Sequence, residues 1–196
     1  MKSVVEIRKQ IRTARRQIQD DHRVAWQQAI SKRFAELPDY KAAKKIAGFL
    51  AFDGEADPIE LMTSAVESGK QVFVPIIIAK KQPLKFAAWR PDAAMKPNRF
   101  GILEPDVPES EFIDGNKLEF VITPLVAFDE SCNRIGVGGG FYDRTFEFAA
   151  NERESVRLFG FAFEVQKLDS IKSNTWDVTL DGIATQTKLY TRVGCA

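Results

Sequence analysis

The apolar residues Val4, Ile7, Ile11, Ala14 and Ile18 recur at three- and four-residue steps, which is the spacing of an amphipathic helix. Ser3-Val-Val-Glu6 opens this run with the capping-box spacing, a pattern that satisfies two amides the first helical turn leaves open. A second helix is predicted after Asp20 and Asp21, with Trp26, Ile30, Phe34 and Leu37 as its buried stripe and Pro38 as its end. Short apolar runs separated by helical ones then take over. Lys45 to Phe52 predicts a strand, Asp57-Pro58 a helix start and Gly69 a helix stop. Gln71 to Ile78 predicts a strand whose near-continuous Val, Phe and Ile content suits a sheet covered on both faces. Leu84 to Trp89 predicts a third, shorter strand. Residues 90–117, rich in Pro and Gly, read as a long loop region. Leu118 to Thr123 is another buried strand, followed by the glycine run Gly136 to Gly140, a helix from Phe141 to Ala150, a strand from Val156 to Phe163 and a last extended segment from Ile183 to Thr191.

Strands alternating with helices predict an α/β fold: one domain over residues 1–196, built as a three-layer, open, mainly parallel sheet with helices on both faces. Ligands of such sheets bind beyond the carboxyl ends of the strands, and two unusual stretches fall there, Phe52-Asp53-Gly54-Glu55 and Asp129 to Gly140.

Charge sharpens this picture locally. The chain of 196 residues carries a formal net charge of only +1, which gives no global pull toward nucleic acid or an anionic membrane. Residues 1–18 nevertheless hold six basic residues (Lys2, Arg8, Lys9, Arg12, Arg15 and Arg16) against the single acid Glu6. Helical geometry stacks Arg8, Arg12 and Arg15 or Arg16 on neighbouring turns, where they can converge on a polyanion. The single histidine, His22, excludes most His-based catalysis and multi-histidine zinc sites. Two cysteines, Cys132 and Cys195, make no disulfide framework and fit a reducing compartment. The charged N-terminus carries no apolar stretch of signal-peptide or membrane-spanning length. A cytoplasmic monomer without membrane or nucleic-acid partners is therefore expected.

The candidate chemistry gathers in Val121 to Asp143. Four glycines in five residues let the backbone adopt positive φ and turn several N–H groups toward one anion, and the following helix adds its positive N-terminal end. The loop is neither a Walker A motif nor a complete GxGxxG, since Phe141 stands where the last glycine belongs. Arg134 before it and Tyr142-Asp143 after it surround the nest with a cation, a phenol and a carboxylate, and Asp143 beside phosphates suits magnesium. Alone, the loop is equally a flexible turn, Asp143 a first-turn acid, and the arginine face a solvated surface.

Pro-Leu-Val-Ala-Phe-Asp129, then Asn133-Arg-Ile-Gly-Val-Gly-Gly-Gly-Phe-Tyr-Asp143, resembles the signature of the 5-formyltetrahydrofolate cyclo-ligase family. The resemblance extends to the basic helix from Ile7-Arg8-Lys9, the Phe49-x-x-Phe-Asp-Gly-Glu55 turn and the Trp176-Asp-x-x-Leu-Asp181 segment. It implies an α/β enzyme that converts 5-formyltetrahydrofolate to 5,10-methenyltetrahydrofolate with ATP and Mg2+, by phosphorylation of the formyl oxygen and ring closure by N10. By position it implies that Arg8, Arg12, Arg134, Gly136, Val137, Gly138, Gly139, Gly140, Phe141 and Tyr142 contact ATP, with Arg134 and Tyr142 as catalytic residues. Asp143 and Asp181 match the magnesium acids. Leu50, Phe52, Glu55 and Phe100 match the folate site, Phe100 where relatives can carry a tryptophan. One departure is Val4, where relatives usually place a lysine; Lys2 or Lys9 are the nearby substitutes. The rival readings are a non-catalytic nucleotide- or RNA-binding module that uses the basic helix, and a phosphate-binding isomerase or acyl-transferase relative on a similar sheet.

Overall fold

The computed structural model describes residues 2–98, 101–150 and 156–192. The first helix, α1 (Val4–Arg16), begins as its sequence dictates: Ser3 accepts from the Glu6 amide, and the Glu6 carboxylate accepts from the Ser3 amide. The second, α2 (Asp20–Glu36), buries Ile30 and Phe34. Pro38 not only ends α2 but also starts a short helix, α3 (Pro38–Ala42), because its fixed φ suits a first turn that needs no amide. The strand predicted over residues 45–52 is shorter, β1 (Lys45–Ala47), and the chain then leaves the sheet. Asp57 accepts from the Ile59 amide at the entry of α4 (Ile59–Glu67), and Gly69 at φ +85° follows its end.

The next strands are β2 (Gln71–Ile76) and β3 (Lys85–Ala88). The expected loop over residues 90–117 contains more structure: β4 (Met95–Pro97), β5 (Leu103–Pro105) and β6 (Ile113–Asp114). Then come β7 (Phe120–Thr123), β8 (Ala127–Phe128), β9 (Arg134–Ile135), a helix α5 (Phe141–Thr145) shorter than predicted and continued by a 3-10 turn, and β10 (Arg157–Phe161). The last extended segment is a pair, β11 (Gly182–Ala184) and β12 (Leu189–Thr191).

Eight strands form one sheet in the order β12-β11-β10-β7-β1-β2-β3-β6. Its centre is parallel, as predicted, and its margins are antiparallel, β3 against β2 and β6 on one side and β12 against β11 on the other. Alternation along the strands sorts the core into two layers. Ile46, Val72, Val74, Phe120, Ile122 and Phe161 face α2, α3 and α4, where Phe34 is fully buried with ring centroids 5.3 Å from Phe161 and 6.0 Å from Phe120. Ala47, Phe73, Val121, Leu158 and Ile183 point the other way, toward Phe146 of the α5 turn and toward Val178 and Leu180. Helices α2, α3 and α4 cover one face, and the short helix α5, the 3-10 turn after it and irregular chain cover the second. Helix α1 packs through Ile11 on Val126, Ala127 and Ile135 beyond the strand ends. No described helix is long and apolar enough to cross a membrane.

Candidate active site

A cavity of about 440 Å³ opens at the carboxyl ends of β1, β2 and β7, within the range of small-molecule sites. One wall is the glycine loop. A tight hairpin of β8 and β9 delivers it: buried Asp129 accepts from the amides of Ser131 and Asn133, each at 3.0 Å, and so closes the turn that presents Arg134. Gly138 has φ +110° and Gly140, the residue before α5, φ +62°, conformations that a side chain resists. No atom approaches within 4 Å of where a Gly136 Cβ would stand. Gly136, Val137, Gly139, Gly140 and Phe141 all line the cavity. Two guanidinium groups brace the loop: Arg8 Nε donates to the Gly136 carbonyl at 2.8 Å, and Arg144 donates to the Gly139 carbonyl while lying 5.5 Å from the Phe141 ring centre.

Arg134, with little of its side chain exposed, donates to Asp143 Oδ1 at 2.6 Å and to the Val178 carbonyl; the Val178 amide returns a bond to the same Asp143 oxygen at 3.2 Å. This closed ring of contacts fixes both side chains at the cavity edge. Tyr142 is half-buried, and its hydroxyl, out of reach of solvent, has no hydrogen-bond partner. Burial pushes its pKa up, the charge of Glu55 adds to that and Arg134 opposes it, so the phenol stays protonated and able to donate.

The facing wall is the Phe52–Glu55 turn together with apolar side chains that include Leu50, Val74, Ile77 and Leu84. Phe52 sits at the mouth, 64% exposed. Glu55 accepts from the Phe52 amide at 3.2 Å, and its other oxygen lies 3.8 Å from Arg15. Burial raises its pKa above the ordinary value; the Arg15 charge and the Phe52 amide pull it back, whereas Asp53 adds to the rise.

The family model for the 5-formyltetrahydrofolate cyclo-ligase family matches residues 1–186. The chain belongs to that family. Curated cyclo-ligases to which this member is similar include those of Haemophilus influenzae, 36% identical over 178 residues that cover 88% of this chain and 94% of that one, and Escherichia coli K12, 32% identical over 181 residues covering 92% and 98%. The fold is that of the Aquifex aeolicus 5,10-methenyltetrahydrofolate synthetase structure, with a TM-score of 0.81, 24% identity and coverage of 98% and 94%. The Mycoplasma pneumoniae synthetase structure shares it too, at a TM-score of 0.72, 22% identity and coverage of 94% and 99%.

Most positions that the cyclo-ligase resemblance implied are brought together: Leu50, Phe52, Glu55, Arg12, Arg134 and the loop through Asp143 share one cavity, and Arg8 and Gly138 form its outer support, with Arg8 Cζ 3.3 Å from where a Gly138 Cβ would be. Asp181 is an exception. Its Oδ2 accepts from the Leu158 amide at 2.7 Å and its Oδ1 lies 3.7 Å from Arg157, placing it at the amino-terminal edge of β10 and β11, away from the glycine loop. Sequence reasoning missed that the neighbouring acid, Asp177, precedes the Val178 that is tied to Arg134 and Asp143. Among the described residues no cluster of three or more His, Cys, Asp or Glu side chains is arranged to hold a metal alone. Phe100 lies outside the described residues. Val4 is exposed, and Lys2 bonds Gln10 at 2.5 Å.

The arginine face is also corrected. Only Arg8 reaches the loop; Arg12 at 3.4 Å, Arg15 at 4.0 Å and Arg16 all turn to Asp53. Asp53 itself, a non-glycine residue at φ +53°, was not singled out by sequence reasoning. The signal available in the sequence was an acid in the Phe52-Asp53-Gly54-Glu55 stretch of a chain whose first helix carries an unbalanced run of arginines.

Proposed function

We propose that this protein is the ATP-dependent cyclo-ligase that converts 5-formyltetrahydrofolate to 5,10-methenyltetrahydrofolate with release of ADP and phosphate. One observation carries the reading: a single cavity joins the glycine loop to an apolar wall bearing the largely buried carboxylate of Glu55. The donor set fits a polyphosphate, since Gly136 leaves open space, Gly138 and Gly140 have the φ values of an amide nest, and Arg8 and Arg134 supply charge. The opposite wall fits a pterin, a flat heteroaromatic whose N–H edge calls for a carboxylate acceptor. The nucleotide, when bound, supplies the phosphoryl group that makes the formyl oxygen a good leaving group for closure by N10.

The chain's own residues position and neutralise. Arg134, oriented by Asp143 and Val178, meets charge that develops on transferred phosphate, and the protonated Tyr142 hydroxyl is a buried donor awaiting an acceptor. The second oxygen of Asp143 is the natural protein ligand for Mg2+ shared with the phosphates. A cavity lined by one chain among the described residues agrees with our reading of the protein as a single-domain cytoplasmic monomer. The module reading finds no support in α1, most of whose arginines have protein partners.

The test is to mix protein, Mg-ATP and 5-formyltetrahydrofolate and follow methenyl absorbance and ADP together. ADP without methenyl product, or neither, refutes the proposal.

A further inference from the structure

Helix α1 carries two arginines seven residues apart, Arg8 and Arg15. Seven residues are close to two helical turns, so the two share a face and stand about 10 Å apart along the axis. Arg8 is bonded to the glycine loop at the Gly136 carbonyl. Arg15 is 1% exposed and reaches two separate pieces of chain, the Phe52–Glu55 turn and Leu125. Its Nη1 donates to the Leu125 carbonyl at 3.3 Å, just beyond β7, and lies 3.8 Å from Glu55 Oε1. Its Nη2 donates to the Asp53 carbonyl at 3.0 Å and lies 4.0 Å from the Asp53 carboxylate. Arg23 clamps the same junction from α2, donating to the carbonyls of Arg15 at 2.6 Å and Gly54 at 3.1 Å.

Burying a guanidinium is costly, and an apolar side chain of similar volume commonly serves stability as well or better. The cost is visible here, because Arg15 Nε has no partner at all. What only a guanidinium does at this point is to donate to two carbonyls and face two carboxylates from one rigid plane. One of those carboxylates opens onto the cavity.

We propose that Arg15 is a positioning residue for Glu55: it holds the Phe52–Glu55 turn against Leu125, so that α1 sets the spacing between the folate carboxylate and the glycine loop that Arg8 secures. This inference rests on the cyclo-ligase reading. Arg15 does not line the cavity and acts through Glu55. The groups facing Glu55 are Arg12 and Arg15 from α1, Asp53 on its own turn and Tyr142 from α5. Arg15 is the largest of the charged influences on it.

The experiment measures binding of 5-formyltetrahydrofolate and of a non-hydrolysable ATP analogue separately by calorimetry, in wild type, Arg15→Lys, Arg15→Met, Glu55→Gln and the Arg15→Lys/Glu55→Gln pair, with thermal unfolding to establish that each is folded. Arg15→Lys should weaken folate binding about tenfold, equivalent to roughly 1.4 kcal/mol, and leave the ATP analogue within about twofold. In the Glu55→Gln background the Arg15→Lys penalty should largely vanish. In Arg15→Met the pH at which folate binding is lost on acidification should move upward, and Arg15→Lys should stay close to wild type. If Arg15→Met does not fold, the double-mutant cycle with lysine decides alone. Additive penalties, or equal loss of both ligands in a folded variant, overturn the proposal. Wild type that binds folate without turning it over refutes the cyclo-ligase reading yet leaves the cycle measurable; wild type that binds no folate removes both.

Discussion

Gly138→Ala is the sharpest perturbation of the loop. Gly138 sits at φ +110°, and holding an alanine there costs roughly 1–3 kcal/mol. Its Cβ would also stand 3.3 Å from Arg8 Cζ and 3.4 Å from both terminal nitrogens. The guanidinium is the free end of a long side chain and gives way, but in doing so it loosens its 2.8 Å bond to the Gly136 carbonyl, a charge-assisted bond worth about 1.5–3 kcal/mol. If the loop keeps its shape, the roughly 1–3 kcal/mol of backbone strain falls on folding, and at roughly 2–4 °C per kcal/mol for a chain of this size the thermal midpoint drops by about 2–12 °C, more where the Arg8 bond is lost as well. If the loop relaxes, the cost moves to nucleotide binding and the KM for ATP rises by about tenfold or more. Thermal unfolding with and without an ATP analogue, together with the KM, captures both routes. Gly136→Ala is the control: that residue lacks a positive φ and has no neighbour within 4 Å, so its ligand-free midpoint should stay within about 2 °C of wild type. Gly138→Ala matching wild type in midpoint and KM, or Gly136→Ala unfolding at the lower temperature, would refute the reasoning.

Asp143→Ala and Arg134→Ala should each lower kcat by about a hundredfold or more with the fold intact; unimpaired turnover in Asp143→Ala would remove its proposed metal role. Glu55→Gln should weaken folate binding about ten- to hundredfold, still measurable by calorimetry, yet raise the ligand-free midpoint at neutral pH. The raised pKa means that the folded state binds the proton more tightly than the unfolded one, so ionised Glu55 costs stability above its folded pKa and the cost fades as pH falls through it. A lower midpoint for Glu55→Gln at neutral pH would contradict that sign. Phe34→Ala, at a fully buried position among Phe120, Phe159 and Phe161, should cost about 3–5 kcal/mol, read from denaturant unfolding. Val4→Lys, one turn before Arg8, should lower the KM for ATP by about two- to fivefold through one added cation; an unchanged KM would show that the lysine position is dispensable here.

What was legible in the sequence was local or periodic. The capping box at Ser3 and Glu6 and the buried apolar run from Leu118 to Thr123 need only neighbours a few residues away, and both stand in the structure, the run as β7. The hairpin of β4 and β5 was hidden because Pro97 and Pro105 argue against strands. A two-stranded ribbon has free edges, however, and a proline costs nothing where no donor is required. The strand from Lys45 was read too long because Leu50 and Phe52 are apolar for another reason, the lining of a cavity. Asp181 illustrates a different gap. Two acids share the Trp176–Asp181 segment, and spacing alone gives no means of knowing that the chain turns between them, anchoring Val178 at the site and Asp181 at the far edge of the sheet.

The basic helix carries the deeper lesson about charge. A local excess of cations predicts an anionic partner but leaves open whether that anion is a ligand or another part of the chain. Here Arg12, Arg15 and Arg16 find Asp53, more than thirty-five residues on, as a chain whose acids nearly balance its bases allows. Pairing does not take the helix out of function, because the turn it grips also carries Glu55, while Arg8 on the same face grips the glycine loop. A face whose charges are paired internally thereby joins the two walls of one cavity. Phosphoryl transfer to a formyl oxygen depends on holding two substrates at fixed separation, so under the proposed reading arginines paired within the chain bear on the chemistry through the spacing they fix.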